Sequence, residues 1–289
     1  MTIVDDVDVD AAEVERKRKP TAGGRLVGTI PAPARGPVLE VGQMCQLTGR
    51  VFYSAIRYPR GYWKDTLEEM YSLLKLCFWP ATFSMAGFGF LITVMGVGLL
   101  VLLGAANRMG AFWVMADIRE IAAFMVGMVV AGVIGTSITS DLGARRVREE
   151  LDALRVLGLD QIRMLVIPRV IATGVMCALL NCLTSFVGVL LGLLAVGALA
   201  NTTNAAYIDS MSHNLYAADV WGAELKTLLI GLLIGVVCSY KGLNAGGGPE
   251  GVGRAVNQAV VICFALVWIF NFFFNAIAQG LNPNLLTLR

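Results

Sequence analysis

The chain has 289 residues, of which 56% are hydrophobic and 15% are charged, and its formal net charge is +2. A soluble domain usually carries about a quarter charged residues, so this composition excludes a water-facing globule or a disordered protein and indicates a lipid bilayer as the main solvent. The near-neutral charge excludes a broad nucleic-acid-binding surface, and we expect no nucleic-acid partner. One histidine and six cysteines without a CxxC pair predict no metal site and no disulfide framework.

Residues 1–36 are expected to form a disordered cytoplasmic tail. An acidic stretch ends at Glu15, and the basic run Arg16 to Lys19 follows it. Four prolines between Pro20 and Pro37 then interrupt any helix. The apolar content of this tail is too low for it to fold alone.

Residues 37–78 are predicted to form amphipathic helices at the membrane interface. Apolar side chains recur at near-helical spacing between Val41 and Ile56, and a second helix is predicted from Lys64 to Leu76. The segment Arg57 to Trp63 between them combines a Pro/Gly break with basic and aromatic residues, which is typical of an interface. Ordinary packing of these helices against the rest of the protein is the alternative.

Long stretches without charge then predict a five-helix membrane domain over residues 79–289. A helix needs about 20 apolar residues to cross a bilayer. A hairpin turning at Asn181 to Ser185 is the alternative for the third stretch, but each arm would be too short to span. The predicted fold is therefore an all-α integral membrane protein with crossings near 79–103, 119–140, 170–199, 219–240 and 257–280.

The distribution of Lys and Arg predicts the orientation of the chain. Eleven of these residues precede residue 79 and six lie between 141 and 169, whereas the 200–218 loop has none. Positive residues stay on the cytoplasmic side. The N-terminus is therefore expected inside and the C-terminus outside.

The loop between the second and third crossings is predicted to contain a short charged helix at about 145–158. Leu151 and Val156 belong to its apolar side, which we expect to hold the helix against its own spans, and Gly158 can end it in the left-handed conformation. Such a helix suits a transporter that receives force from a soluble motor, and a loop that serves topology only is the alternative. The residues predicted to contact the motor are Arg145, Arg148, Glu149, Glu150, Asp152, Ala153, Leu154, Arg155, Leu157 and Gly158.

Charged residues near the outer ends of spans two and four are the candidates for a substrate cavity. Arg119, Glu120 and Lys226 are predicted to line its mouth, and Asp117, Asp219 and Glu224 lie close to them in sequence. Charges at membrane depth are costly and tend to pair or face water. Interfacial anchoring, helped by Trp113 and Trp221, is the alternative.

Two further patterns are predicted to serve packing. Asn271, Asn275 and Gln279 form a polar stripe on the fifth span, which we expect to face another helix, and contact with a substrate is the alternative. The pairs Gly188-x-x-x-Gly192 and Gly231-x-x-x-Gly235 would let helices approach closely.

A glycine-rich loop precedes the fifth span and contains Gly247, Gly248, Glu250, Gly251 and Gly253. It formally matches a dinucleotide fingerprint, but no strand precedes it, so a tight structural turn is predicted instead. The sequence has no phosphate loop of the GxxxxGK[ST] type and no catalytic set. We therefore expect a chain that is not an enzyme and binds no cofactor.

The segment from Gly143 to Ala172 resembles the signature of the MlaE/YrbE permease family, close to "TEQIDAL-VMG-DP-R-LV-PR". Its "REELDAL" form resembles the actinobacterial YrbE branch, which works with Mce proteins. The stretch from Lys226 to Val261 resembles the family's fourth-span lysine and its "GGAEGVGRA" loop. Arg119-Glu120 matches the family's "RELGP", although alanines replace the Gly and Pro and put a helix break there in doubt. The resemblance covers about residues 40–280.

This resemblance implies the permease subunit of an ATP-driven, Mce-type lipid transporter in the bacterial inner membrane, with import as its direction and fatty acid, mycolic acid or sterol-like lipids as substrates. It implies a second YrbE-type permease chain, a cytoplasmic ABC ATPase dimer that uses ATP and Mg, and extracytoplasmic MCE-domain proteins as partners. The long N-terminal tail favours the B-like over the A-like permease. The alternatives are a membrane scaffold that anchors MCE proteins and a motor-free secondary transporter, which would need a mid-membrane ionisable residue that the spans are not expected to offer.

Overall fold

The computed structural model describes residues 32–57, 61–199 and 203–281. The predicted tail lies outside these residues up to residue 31, and so does the end of the chain from residue 282. Within the described part every regular element is a helix. The predicted all-α fold class is therefore confirmed.

The chain divides into two units, residues 1–48 and residues 49–289. Helix α1, Ala32–Arg57, includes the boundary between them. The helix predicted between Val41 and Ile56 is part of α1, and its position at a membrane interface stays a prediction.

The second unit contains five helical segments that are long and apolar enough to cross a membrane, as predicted. They begin earlier in the chain than the charge-free stretches, because charged residues occupy their first and last turns. These segments are Trp63–Leu102, Ala106–Val147, Ile162–Leu199, Ala217–Leu243 and Gly248–Gly280.

The first span is helix α2, Trp63–Leu102, which continues through Pro80. The predicted second amphipathic helix, Lys64 to Leu76, is therefore the beginning of α2 and not a separate element. No turn residue separates it from the crossing, so the helical hydrogen bonds continue.

The second span changes its helical geometry along its length. A short 3-10 turn, Ala106–Arg108, is followed by α3, Met109–Trp113, and a π-helical segment, Val114–Ile121. Helix α4, Ala122–Val147, completes the span. The two alanines that replace the family's Gly-Pro therefore stand where the π-helical geometry ends, and the chain remains helical there.

After α4 the chain forms the short helix α5, Glu150–Val156, outside the spans. The third span begins with a π-helical turn, Ile162–Val166, and continues as α6, Ile167–Leu199. Because α6 is continuous through Asn181 to Ser185, the hairpin alternative is wrong.

Helix α7, Asn204–Asn214, lies between the third and fourth spans and packs on α3. A Cβ added at Gly110 of α3 would overlap the α7 backbone, so only glycine permits this contact. The fourth span is α8, Ala217–Leu243, and the fifth is α9, Gly248–Leu281.

Helix α8 packs against α4, α6 and α9, and α2 packs against α6. A Cβ at Gly231 of α8 would lie 2.6 Å from the Thr173 carbonyl oxygen of α6, so Gly231 lets the two backbones approach closely, as predicted. Gly188 and Gly192 of α6 instead leave room for the side chains of Asp117 and Tyr207.

The functional candidates lie at the two ends of the second span. Arg119 and Asp141 are separated by about 30 Å along this span at 1.5 Å per residue. We call the end with Arg119, Glu120, Asp219 and Lys226 the pocket end, and the end with residues 141–169 the charged end.

Candidate functional site

Lys226 is the centre of the network at the pocket end. Its side chain is only 1% exposed. The Nζ atom donates to the Arg119 carbonyl oxygen at 2.6 Å and to Asn275 Oδ1 at 3.1 Å. Glu120 Oε2 lies 3.9 Å from the same nitrogen, so Lys226 joins spans two, four and five.

Glu120 accepts hydrogen bonds from the fifth span. Its Oε2 atom lies 2.6 Å from Asn275 Nδ2 and 3.2 Å from Asn271 Nδ2, and both amides donate. The predicted polar stripe therefore faces another helix. The sequence did not reveal that its partner is the charged pair Glu120 and Lys226, because spacing gives a helix face and not the partner opposite it.

Arg119 forms a two-point ion pair with Asp219 at the start of α8. The Nε–Oδ1 distance is 3.0 Å and the Nη2–Oδ2 distance is 3.1 Å. Asp219 is 1% exposed and also accepts from the Tyr216 backbone N–H at 3.1 Å. Removing one partner of a buried pair commonly costs about 3–5 kcal/mol, because the other charge is left uncompensated. This pair therefore fixes the fourth span against the second.

An open pocket of about 190 Å³ lies beside these groups. It combines cationic and anionic side chains with apolar surface, which is the composition expected for contact with an amphiphile. The residues that line it are Met115, Arg119, Glu120, Ala218, Asp219, Gly222, Ala223, Lys226, Phe274, Asn275, Ala278 and Gln279.

The predicted cavity residues Arg119, Glu120 and Lys226 are thus brought together. Two residues grouped with them in sequence are not. Asp117 is fully buried away from the pocket, because two residues of helix place it roughly opposite Arg119. Glu224 accepts from Asn181 Nδ2 of α6 at 3.0 Å and does not line the pocket.

The expectation that the spans offer no ionisable residue at mid-membrane stays a prediction, but two ionisable residues of the spans, Asp117 and Lys226, are buried in the protein. Neighbouring helices cover them, which the local sequence does not show.

Of the two tryptophans considered as interfacial anchors, Trp113 is fully buried and Trp221 is exposed. Only Trp221 is placed to act as an anchor.

At the charged end, the predicted helix at 145–158 is two elements. Arg145 and Arg146 belong to the last turn of α4, and α5 begins only at Glu150. Glu149 between them adopts the left-handed conformation with φ +60°, which breaks the helix. Such a conformation in a non-glycine residue is not readable from sequence. Gly158, at φ +73°, lies past the end of α5 as predicted.

Ion pairs hold α5 to the end of α4. Arg146 Nη1 binds both carboxylate oxygens of Asp152, at 2.8 and 2.9 Å, and Arg148 Nε lies 2.9 Å from Glu150 Oε1. Each exposed pair contributes at most about 1 kcal/mol. Leu151 is buried beneath them, and its carbonyl oxygen accepts from the Gln161 side chain. Together these contacts fix the position of α5.

The apolar side of α5 is only partly directed towards the spans. Leu151 packs inward, but Val156 is 88% exposed and Leu157 is 72% exposed. Leu159 is exposed as well. Leu154 of the same side is half-buried. The predicted attachment therefore holds for Leu151 and in part for Leu154, and it is wrong for Val156 and Leu157, which stand at the end of the helix. We call Val156, Leu157 and Leu159 the apolar tip.

Arg169 links three spans beneath this segment. This buried α6 side chain pairs with Glu69 of α2, with an Nε–Oε1 distance of 3.0 Å, and with Asp141 of α4. Asp141 in turn lies 3.1 Å from Arg145 Nε. The charged end is therefore connected to α2, α4 and α6 through one guanidinium group.

The glycine-rich loop forms the tight turn that opens the fifth span. Gly247 and Gly248 have φ values of +85° and +71°, in the region that favours glycine. A Cβ at Gly251 would overlap the Gly246 carbonyl group. Glu250 pairs with Arg254 in the first turns of α9 at 3.2 Å.

In the described residues no cluster of three or more His, Cys, Asp or Glu side chains could hold a metal ion.

Comparison with known proteins gives a consistent result. Residues 66–277 match the family model described as "Permease MlaE". The chain is 32% identical over 228 residues to a probable ABC transporter permease protein of Synechocystis, covering 78% of this chain and 86% of that protein.

Two further relatives are covered less completely. A probable ABC transporter permease protein of Rickettsia typhi is 34% identical, with 58% of this chain and 65% of that protein covered. The chloroplastic protein TRIGALACTOSYLDIACYLGLYCEROL 1 of Arabidopsis thaliana is 30% identical, with 73% of this chain and 60% of that protein covered.

Proposed function

Because this chain belongs to the MlaE permease family, we propose that it is the membrane subunit of an ATP-driven lipid transporter of the Mce type. Relatives named as ABC transporter permeases imply a transporter complex with an ATPase partner. In this proposal the pocket end binds the lipid head group and the charged end receives the motor.

The observation that carries the proposal is the environment of Lys226. Its ammonium group is buried and donates two hydrogen bonds, at 2.6 and 3.1 Å. The distance from this group to the Glu120 carboxylate is longer, at 3.9 Å. An anionic head group can take the place of Glu120 as the acceptor, while the two amides of α9 continue to hold Glu120. The substrate class supported is an amphiphile with an anionic head, such as a fatty or mycolic acid, over a sterol-like lipid.

The apolar tip supports docking of the ATPase. Val156 and Leu157 are large apolar side chains that project from a segment fixed by Leu151 and the Arg146–Asp152 pair. Exposed apolar residues with a polar rim are typical of protein interfaces. Among the charged residues predicted to contact the motor, Arg155 is adjacent to Val156 in the last turn of α5 and would supply part of that rim.

The proposed mechanism follows from linkage between the two ends. When ATP closes the motor, α5 moves with it, Arg169 transmits the displacement to α2, α4 and α6, and the pocket changes its shape. ATP and Mg stay with the ATPase dimer, and this chain contributes no catalytic group. The direction proposed is import across the bacterial inner membrane, with the N-terminus and the charged end in the cytoplasm.

The complex proposed around this chain contains a second YrbE-type permease and extracytoplasmic MCE-domain proteins. A motor-free secondary transporter is the second candidate, since Asp117 supplies the buried ionisable group that such a transporter needs. The two are distinguished by whether lipid movement requires ATP.

The test measures lipid retained by the gently purified complex, by mass spectrometry, together with ATP-dependent lipid movement in vesicles. We expect K226Q to lower retained lipid about tenfold, which corresponds to about 1.4 kcal/mol. The matched control is K241Q, because Lys241 is another buried lysine bonded to a side-chain amide, Gln258, but lies far from the pocket.

If K226Q does not assemble, G222W provides a second test. Gly222 lines the pocket, and a Cβ added there would meet no atom within 4 Å, so a tryptophan can enter the pocket and occupy the space of a bound lipid without removing any charged group. Lipid retention equal to wild type in the assembled pocket variant would overturn the proposal and favour a scaffold that only anchors other proteins. Lipid movement that persists without ATP would favour the secondary transporter.

A further inference from the structure

Asp117 is a fully buried carboxyl group in the π-helical segment Val114–Ile121. In the described part of the chain neither of its oxygens has a hydrogen-bond partner, and the same holds for Trp113 Nε1. The carboxyl interacts with this indole N–H without reaching the geometry of a hydrogen bond. The proposed ATP-driven function uses neither group.

The walls around Asp117 are apolar and closely packed. A Cβ at Gly188 of α6 would overlap the Asp117 carboxylate, so a glycine is required opposite this side chain. The same Cβ would lie 2.7 Å from the Met85 side chain of α2. Met85 and Trp113 belong to one buried apolar cluster. Asp117 is therefore enclosed by protein and does not face lipid.

Tyr207 of α7 is the titratable group that faces Asp117. Burial raises the pKa of Tyr207 above its ordinary value, so its phenol stays neutral at physiological pH. Its hydroxyl donates to the Val189 carbonyl oxygen at 3.4 Å. Helices α2 and α6 present Met85 and Gly188, which carry no charge.

Helix α8 also packs against this segment. Its Asp219 and Lys226 line the pocket, and its Glu224 accepts a hydrogen bond from Asn181 of α6. Asp219 pairs with Arg119, and Lys226 binds the Arg119 carbonyl oxygen and lies near Glu120. Arg119, the cation closest to Asp117 in sequence, is thus paired with another carboxylate, that of Asp219. Any change of charge in the enclosed cluster therefore takes place on Asp117.

A carboxylate ion without donors in an apolar enclosure is destabilised by several kcal/mol, whereas a neutral carboxylic acid is tolerated far better. We propose that Asp117 is a proton-binding site within the second span, occupied in the described conformation and emptied when the π-helical segment opens to water. The bound species is a proton on one carboxylate oxygen, and no other reactant takes part.

The site is linked to the pocket because Arg119 and Glu120 lie on the same segment as Asp117. Conversion of a π-helical turn to α-helix would rotate the side chains on one side of it by roughly 100° relative to the other. Since the buried state binds one proton more than the hydrated state, acid favours the described conformation and alkali the open one. This goes beyond the proposed function, in which only ATP drives the change.

The primary test is infrared difference spectroscopy of the intact complex in lipid nanodiscs at neutral pH. The spectrum of wild type minus D117N is expected to contain the C=O stretching band of a neutral carboxylic acid. The matched control is E120Q, which should remove carboxylate bands, because Glu120 faces Lys226 and two amides. If D117N instead removes carboxylate bands, Asp117 is ionised in the wild type, whether or not it binds a sodium ion, and the proposal is overturned.

Labelling the wild-type complex with carboxyl-13C aspartate keeps the test independent of the variant's folding. The neutral-acid band must shift on labelling, and its absence or failure to shift contradicts the proposal. Linkage is tested by hydrogen–deuterium exchange in Val114–Ile121, corrected for the intrinsic effect of pH. We expect protection to fall about tenfold between acid and alkaline pH in wild type and to stay flat in D117N. An equal pH dependence in both would overturn the linkage.

Discussion

Ion pairs occur at both the pocket end and the charged end, but the Arg119–Asp219 pair is far less exposed to solvent than the Arg146–Asp152 pair. At the pocket end Lys226 and Asp219 are 1% exposed. At the charged end the Arg146 and Asp152 side chains are 36% and 50% exposed. Buried pairs hold one geometry, because an unpaired partner cannot find water. Exposed pairs can exchange partners at little cost.

This difference suits the two proposed roles. A recognition site benefits from groups that keep their positions when the ligand leaves. A docking surface benefits from charges that a partner can recruit, together with apolar side chains that gain from burial. The following predictions test whether the two ends separate in this way, from the largest expected effect to the smallest.

The largest effect is expected for D219N at the pocket end. The substitution leaves the buried Arg119 guanidinium without a compensating charge and should lower the free energy of unfolding by about 3–5 kcal/mol. The measurement is thermal unfolding of the purified complex, where the midpoint should fall by several degrees. The matched control is D209N, because Asp209 forms an exposed pair with His213. Equal midpoints for the two variants would contradict the buried role of Asp219.

A smaller effect on the free energy of unfolding is expected at the contact between α6 and α8, which lies between the two ends. In G231A the new methyl group would lie 2.6 Å from the Thr173 carbonyl oxygen, and overpacking of this kind typically costs about 1–3 kcal/mol. G222A is the control on the same helix, since its methyl group would meet no atom within 4 Å. Unfolding midpoints should separate the two variants, and a G231A protein as stable as G222A would show that this helix pair is loose.

Binding, and not stability, should change at the apolar tip. We expect L157S to weaken the affinity for the ATPase about tenfold, because an exposed side chain contributes only when a partner covers it. Titration of the purified permease with ATPase measures this, and the unfolding midpoint should stay unchanged. The control I208S removes an exposed apolar side chain on α7. Should both variants bind the ATPase alike, the tip is not the docking surface.

The two ends also differ in how far the sequence predicts them. Charge-free stretches predict the five spans because burial of an uncompensated charge in lipid is so costly. The opposite directions of Asp117 and Arg119 follow from two residues of helix, but which of the two faces the pocket depends on the rotation of the span, and hydropathy does not report that rotation. The left-handed Glu149 is likewise hidden, since no glycine marks the break.

Partners across helices are the second kind of information that the sequence withholds. The sequence groups Arg119, Glu120 and Lys226 correctly, because all three lie near span ends that the predicted topology places on the same side. For Asn271 and Asn275 the sequence favours a role in packing, and it does not show that their amides donate to Glu120. Such pairings depend on helix rotation, which the close approach at Gly231 helps to set.

The smallest effect is expected for D152N at the charged end. Asp152 is half exposed and binds Arg146 beside Arg155, so its loss should change the free energy of unfolding by less than about 1 kcal/mol. Salt should already weaken this pair in the wild type, because exposed charges are screened beyond about 8 Å at physiological ionic strength. Unfolding of D152N and D219N measured across a salt series therefore sharpens the comparison between the two ends. We expect added salt to reduce the small effect of D152N on the free energy of unfolding and to leave the large effect of D219N in place. If the D219N effect falls equally with salt, the pocket end is as open to solvent as the charged end.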